Sequence, residues 1–250
     1  MTLQSFEAGW GWDAQLRQYI RRKYQGDLAG LVRVNPRLLA RLLGGEILAA
    51  RPYATVRWVL RVAPFRPLEI YWLFDFDEEF GHDLRVLYAP KSLAVPTEDA
   101  YVFAWDYLAL LARYGRGTFP LTDASPGPQW LPFSAFAPAA AGPIKDLALG
   151  PRQELLRLIS PEVVEVAVRR LDRGTSRPVK DGWEVDWPVL GDLAMRLRCD
   201  AQGLEIAFDS HGARKYGPEF LLSFTWLYLN ALIRECRQVE PSLPRLSRYL

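Results

Sequence analysis

Two hydrophobic periods alternate along the chain. Residues 55–62 (TVRWVLRV), 68–76 (LEIYWLFDF) and 83–88 (DLRVLY) place apolar side chains at every second position, which predicts three half-buried strands. Val56, Trp58, Leu60 and Val62 share one face of the first, and Leu68, Ile70, Trp72, Phe74 and Phe76 share one face of the second. Leu84, Val86 and Tyr88 do the same in the third. Around these runs the spacing is helical. Residues 13–24 gather Leu16, Tyr19, Ile20 and Lys23 on one face, with Arg17, Arg21 and Arg22 largely elsewhere, and read as a packed terminal helix. Asn35-Pro36 opens a second helix that Gly44-Gly45 closes. A third is expected at about 97–114, with Thr97 as its cap, Glu98 and Asp99 in its first turn, Arg113 in its last and Gly115 at its stop.

The second half repeats this order. Ser160-Pro161 opens a helix over 160–171, strand-like runs follow at 182–187, 192–199 and 204–209, and a long apolar helix covers about 218–236. Glu98, Trp105, Tyr107 and Leu108 recur as Glu219, Trp226, Tyr228 and Leu229, each 121 positions on (219 less 98, and likewise for the others). Recurrence of W-x-Y-L at matched places points to one unit used twice. Between the halves, Pro, Gly and Ala dominate, while Phe119, Trp130, Phe133 and Phe136 argue for a connection packed on the surface. The reading is an α+β fold of two tandem α-β-β-β-α units, antiparallel meanders with helices on one face, in a pseudo-two-fold arrangement. Its segments are an N-terminal helical part (1–34), a first unit (35–115), the connection (116–150) and a second unit with a C-terminal tail (151–250).

Side-chain logic supplies a register. A turn centred on Phe80 sets Phe76 against Leu84, Phe74 against Val86 and Trp72 against Tyr88, with Asp75 meeting Arg85 on the other face. A turn centred on Phe65 sets Trp58 against Trp72 and Arg61 against Glu69. In the second half Leu197 faces Ile206, Met195 faces Phe208 and Arg198 faces Glu205 across D-A-Q-G.

Composition then narrows the class. Half of the residues are hydrophobic and 13% are aromatic, as in a globular chain with a substantial core. Two cysteines, Cys199 and Cys236, are too few for a disulfide scaffold or a cysteine-ligated metal, and a reducing cytoplasm fits. The start, M-T-L-Q-S-F-E-A-G-W, lacks a signal-peptide pattern. The longest apolar run, Phe220 to Ile233, is too short for a membrane span. Net charge is +2, so no global case for nucleic acid follows. Its distribution is uneven: residues 1–62 hold ten Arg/Lys against four Asp/Glu, and residues 68–109 hold nine Asp/Glu against two Arg/Lys. Either the two segments pair with each other, or the first offers a basic face to an acidic partner.

Candidate chemistry concentrates in the turn D-E-E-F-G-H-D. Asp77, Glu78, Glu79 and Asp83 offer oxygen ligands for a hard cation, and His82 a nitrogen for a transition metal, though the spacing matches neither an EF-hand loop nor H-E-x-x-H. Plain solvated carboxylates are the reading the pattern favours. In F-D-S-H-G, Asp209, Ser210 and His211 are consecutive and cannot converge as a triad by themselves, so Asp209 and His211 stay candidate ligands only. Y-G-R-G-T, with Arg116, reads as a helix stop in preference to a phosphate loop. There is no G-x-S-x-G, Walker or dinucleotide fingerprint, and no cofactor is expected.

The succession L-G-G-E at 43–46, W-L-F-D-F-D-E-E-F at 72–80, V-L-Y at 86–88 and P-T-E-D-A at 96–100 resembles a domain-of-unknown-function family of mainly anaerobic bacteria and archaea. Members carry a similar Gly-Gly, W-x-x-D-E-E-F, L-F-D and P-T-E-D order, often among genes of corrinoid and one-carbon metabolism. The resemblance covers roughly residues 38–112 and weakens through about 147. This chain has Tyr88-Ala89 where the family tends to have Phe-Asp, and keeps Phe208-Asp209 in its second half. Some relatives are joined to cysteine-rich iron–sulfur modules, which this chain lacks. The resemblance therefore implies a metabolic context and no mechanism. The expectation is a non-catalytic accessory or protein-interaction subunit, with a protein partner, no membrane span, nucleic acid disfavoured and room for a homo-oligomer. Its rivals are a metal-dependent enzyme or small-molecule binder at the acidic loop, and a nucleic-acid binder using the basic N-terminal segment.

Overall fold

The computed structural model describes residues 1–117, 129–136, 149–150 and 152–245. Most of the connection between the halves, Phe119 included, lies outside the described residues. The chain divides into two compact units, Met1–Ala124 and Ser125–Leu250.

The first unit begins with α1 (Trp10–Gln18), which runs on through a wider helical turn, Tyr19–Lys23, into α2 (Gln25–Ala29). Leu16, Ile20, Leu28 and Leu31 are buried, as their spacing requires. Lys23 shares that apolar face because its ammonium lies over the rings of Tyr19, Tyr24 and Trp105, 5.2–5.3 Å from each centroid. Next, α3 (Pro36–Leu42) starts where the Asn35 side chain accepts a hydrogen bond from Arg37 N at 3.0 Å. Four strands follow in an antiparallel meander, β1 (Gly45–Leu48), β2 (Val56–Phe65), β3 (Leu68–Asp77) and β4 (Gly81–Tyr88), before the long helix α4 (Thr97–Gly115).

Parity decides which residues form the core. Trp58, Leu60, Val62, Ile70, Trp72, Phe74, Leu84, Val86 and Tyr88 are all buried. The Trp58 and Phe74 rings stack at 5.1 Å, and Phe65 meets Phe103 of α4 edge-on at 5.4 Å. The Tyr88 hydroxyl donates to the Ala100 carbonyl at 3.2 Å, tying β4 to α4. Burying each such side chain is worth about 1.5–3 kcal/mol. Thr97 is the first residue of α4 and not its cap; its hydroxyl donates instead to the Glu7 carbonyl at 2.6 Å.

The second unit contains β5 (Trp130–Pro132), α5 (Pro161–Leu171), β6 (Thr175–Val179), β7 (Gly182–Leu190), β8 (Leu193–Asp200), β9 (Gly203–Asp209), a single helical turn α6 (Ser210–Ala213) and α7 (Pro218–Val239). Its sheet order is β5-β9-β8-β7-β6. The Ser160 hydroxyl caps α5 by accepting from Val163 N. Trp183, Val185, Trp187, Met195, Leu197, Ile206 and Phe208 are buried, and Trp187 packs 5.3 Å from Tyr228 of α7.

The fold is α+β and built of two units, with one difference in detail. Each meander has four strands where the pattern predicts three. The added strands, β1 and β6, are four and five residues long, and β6 contains Pro178, so neither shows a sustained period. Trp130–Pro132, inside the Pro/Gly/Ala-rich stretch, adds a fifth strand to the second sheet by pairing with β9.

Register also differs in the first unit. Phe74 is opposite Leu84, Trp72 opposite Val86 and Asp77 opposite Gly81, two residues from the expected pairing. The loop explains the shift. Asp77 Oδ1 accepts from the backbone N–H of Glu79 (2.8 Å) and Phe80 (3.1 Å), and Gly81 closes a three-residue turn at φ +79°. That centres the hairpin on Glu79. In the preceding hairpin Trp58 faces Phe74 and Leu60 faces Trp72, because Arg66-Pro67 forms a two-residue turn and a bulge precedes it. The second unit has the expected register, with Leu197 opposite Ile206, Met195 opposite Phe208 and Arg198 opposite Glu205.

The loop geometry generates a stability prediction. A Cβ at Gly81 would touch nothing within 4 Å, so Gly81→Ala carries only the cost of the left-handed backbone. Urea unfolding should show a loss of about 1–2 kcal/mol for Gly81→Ala and less for Gly81→Asn, which tolerates that conformation. Equal losses for both would contradict this turn.

Candidate functional site

The acidic turn does not gather its polar groups. Alternation along β4 sends His82 to the core side, where its ring lies 6.3 Å from Phe74, and sends Asp83 to the opposite face. The Asp77 carboxylate is occupied by the turn, and Glu78 and Glu79 are exposed at its tip beside Phe80, which is 84% exposed. Asp83 stands directly across from Asp75. Arg85 relieves that like-charge pair: its Nε donates to Asp75 Oδ2 at 3.1 Å, its Nη2 reaches the same oxygen, and Asp83 Oδ2 is 3.8 Å away. The expected Asp75–Arg85 pair therefore forms, but diagonally. In the second unit the Asp209 carboxylate caps α6, accepting from the backbone N–H of His211 (3.3 Å) and Gly212 (3.4 Å). Among the described residues no three His, Cys, Asp or Glu side chains are grouped as a metal ion would need.

Further along that same polar face of the first sheet, a second network is organised around Glu69, which is only 6% exposed. Arg61 donates to it across the strands, Lys91 Nζ lies 2.7 Å from it and the Tyr71 hydroxyl donates at 3.0 Å. Burial pushes this carboxyl up, but the hydrogen bonds from Arg61, Lys91 and Tyr71 outweigh it and hold it at about 2, below its ordinary 4.5. Arg61 also donates to Glu46 of β1 at 2.6 Å, and the two carboxylates raise its already high pKa. An analogous network, Arg177 and Arg196 with Glu184 and Asp186, lies on the second sheet, where Trp130 covers the Arg196 guanidinium at 4.2 Å.

Between α3 and β1 lies an open cleft of about 890 Å³. Its geometry starts with two glycines. Gly44, at φ +66°, turns the chain out of α3, and Gly45 brings β1 so close to β2 that a Cβ there would stand 2.4 Å from the Arg61 carbonyl oxygen. Arg37 and Arg41, one helical turn apart on α3, line one side. Arg51 and Arg57 also line it, and Ile47 and Trp58 supply apolar wall. Glu46 is the sole carboxylate lining the cleft, and it is bonded to Arg61. None of the four lining arginines takes part in an ion pair among the described residues; Arg57 rests over the Phe76 ring at 5.2 Å.

Sequence reasoning noted the basic bias of residues 1–62 but not this cluster. The signal was present: from Leu28 to Leu68 the chain carries seven arginines and one carboxylate, Glu46, and Arg33, Arg37 and Arg41 recur every fourth position. Both cysteines are buried, and burial pushes the Cys199 thiol up to about 11 and the Cys236 thiol up to about 12, far from the poise of a nucleophile. Comparison with protein-family models, curated proteins and solved structures finds no match. No helix among the described residues is long and apolar enough to cross a membrane.

The Glu69 network predicts a pH effect. Its folded pKa lies below the unfolded one, so its contribution is complete above about pH 4.5 and is lost as pH falls toward 2. Glu69→Gln should cost on the order of 2–3 kcal/mol at pH 7 by urea unfolding. The difference from the natural chain should close between pH 4.5 and 2. A constant difference across that window would show that Glu69 acts by packing alone.

Proposed function

We propose that this protein is a non-catalytic accessory protein that engages an acidic segment of a protein partner through the cleft between α3 and β1. One observation carries the reading: four arginines line a cleft in which, among the described residues, the one carboxylate is already bonded to Arg61. Like charges gathered without counter-charges destabilise the chain that holds them, and binding an anion relieves that cost. Apolar walls beside the arginines suit a peptide, whose side chains supply both apolar area and carboxylates. The basic bias of the N-terminal quarter and the acidic bias of residues 68–109 need not cancel each other, because Arg37, Arg41, Arg51 and Arg57 are left over when the internal ion pairs are made. The resemblance of residues 38–112 to a family found beside one-carbon and corrinoid genes supports a cytoplasmic metabolic setting.

Anisotropy of a fluorescein-labelled peptide that alternates glutamate with valine tests the reading. The full chain should bind it, with affinity falling roughly tenfold or more between low and near-molar salt. The double variant Arg37→Glu/Arg41→Glu should lose roughly tenfold or more, and a lysine–valine peptide should not bind. Absence of binding by the acidic peptide, or equal binding of the basic one, would remove the proposal. Tighter binding to a DNA or RNA duplex with a steep salt slope would replace it with nucleic-acid recognition.

A further inference from the structure

β1 lies at the edge of its sheet, and among the described residues its one strand partner is β2. Alternate residues of an antiparallel strand turn their N–H and C=O away from the partner. In Gly45–Leu48 those outward groups make no hydrogen bond to another described residue. The other edge, β4, is engaged at one end: the Met1 ammonium donates to the Tyr88 carbonyl at 3.1 Å, and the Met1 carbonyl accepts from Tyr88 N at 2.7 Å. The second unit protects its corresponding strand. β6 contains Pro178, which has no N–H to offer, and its Arg177 is held by Glu184 and Asp186. β1 has no proline, and its one charge, Glu46, is drawn onto Arg61.

We propose that β1 is a docking edge to which an extended acidic segment of a partner protein adds as a fifth strand. This rests on the reading above that the cleft binds an acidic partner, and it adds the conformation and sequence pattern of what binds. Ala40 of α3 and Trp58 of the core face both line the cleft, so α3 stands on that side of the sheet. Carboxylates at alternate positions of a strand are about 6.6–6.8 Å apart, close to the rise of about 6 Å over the four residues from Arg37 to Arg41. Acidic residues at i and i+2 therefore meet the two guanidiniums. Intervening residues face the other side, where Leu48 packs against Val59 and Leu73, and apolar side chains there extend that cluster. The recognised pattern is acid–apolar–acid–apolar over about 13 Å of β1. The phosphate groups of a nucleic acid only accept hydrogen bonds and offer no regular row of N–H donors to the outward carbonyls of β1, whereas a peptide backbone supplies one at every second residue.

The test uses the full chain and the glutamate–valine peptide in three forms: unmodified, N-methylated at the glutamates, and N-methylated at the valines. Side-chain side and amide direction alternate together in a strand, so one methylated set points at β1 and the other at solvent. One set should weaken binding roughly tenfold or more and the other by no more than about twofold. Amide exchange within Gly45–Leu48 should slow on binding. If both methylated peptides bind like the parent while Arg37→Glu/Arg41→Glu still abolishes binding, strand addition is wrong and the electrostatic reading stands. If the parent peptide does not bind, both fail. A second copy is the remaining occupant: self-association in sedimentation that the peptide competes away and that Glu78→Lys/Glu79→Lys abolishes would assign the cleft to the Asp77–Gly81 turn of another chain and overturn the partner-strand proposal.

Discussion

A β-strand delivers side chains to two faces in strict alternation, and both units of this chain depend on that parity. It puts Trp58, Trp72 and Phe74 inside the first unit and Trp183, Val185 and Trp187 inside the second. It puts Arg61, Glu69, Asp75 and Arg85 together on the other face, where cross-strand ion pairs form. It also separates His82 from Asp83, neighbours in sequence that end on opposite sides of the sheet. A local cluster of ligand-type residues thus dissolves once a strand runs through it.

Parity explains what could be read from sequence. Faces were legible because a one-residue slip would expose every core side chain of a strand; the exception is Val56, expected beside Trp58, which a bulge before Trp58 turns to the face of Val59 and Leu73. A two-residue slip leaves the faces intact, so apolar matching alone could not reject it. The expected Arg61–Glu69 and Asp75–Arg85 pairs survive such a slip because long side chains reach diagonally as well as directly across. What set the register was backbone detail: the Asp77 turn closed by Gly81, and the two-residue turn at Arg66-Pro67. In the second unit the turn between Asp200 and Gly203 is symmetric and short, and there the register followed from the pattern. β1 and β6 escaped notice because four or five residues carry too little periodicity. The arginine cleft was hidden for another reason. Its members come from a helix, a loop and a strand, and the chain reversals between these elements, the Gly44 turn among them, bring them to one cleft.

The two units share an order of elements but differ at their edges. In each, a capped, proline-initiated helix precedes the four-stranded meander and a long apolar helix follows it. In the second, Pro178 and Trp130 occupy the sheet borders, one within β6 and the other in β5 beside β9. In the first, the β1 border is left bare beside unpaired positive charge. Two units with the same order of elements can differ at their borders, since the core positions that fold a unit are not those that line its edge.

The placement of the thiols has its own consequence. Cys199 and Cys236 both belong to the second unit, both are buried, and neither ionises near neutral pH. Oxidants and alkylating agents act on thiolates that reach solvent. Covalent thiol chemistry in this protein is therefore gated by the breathing of one unit, and the unit that carries the arginine cleft has no sulfhydryl to lose.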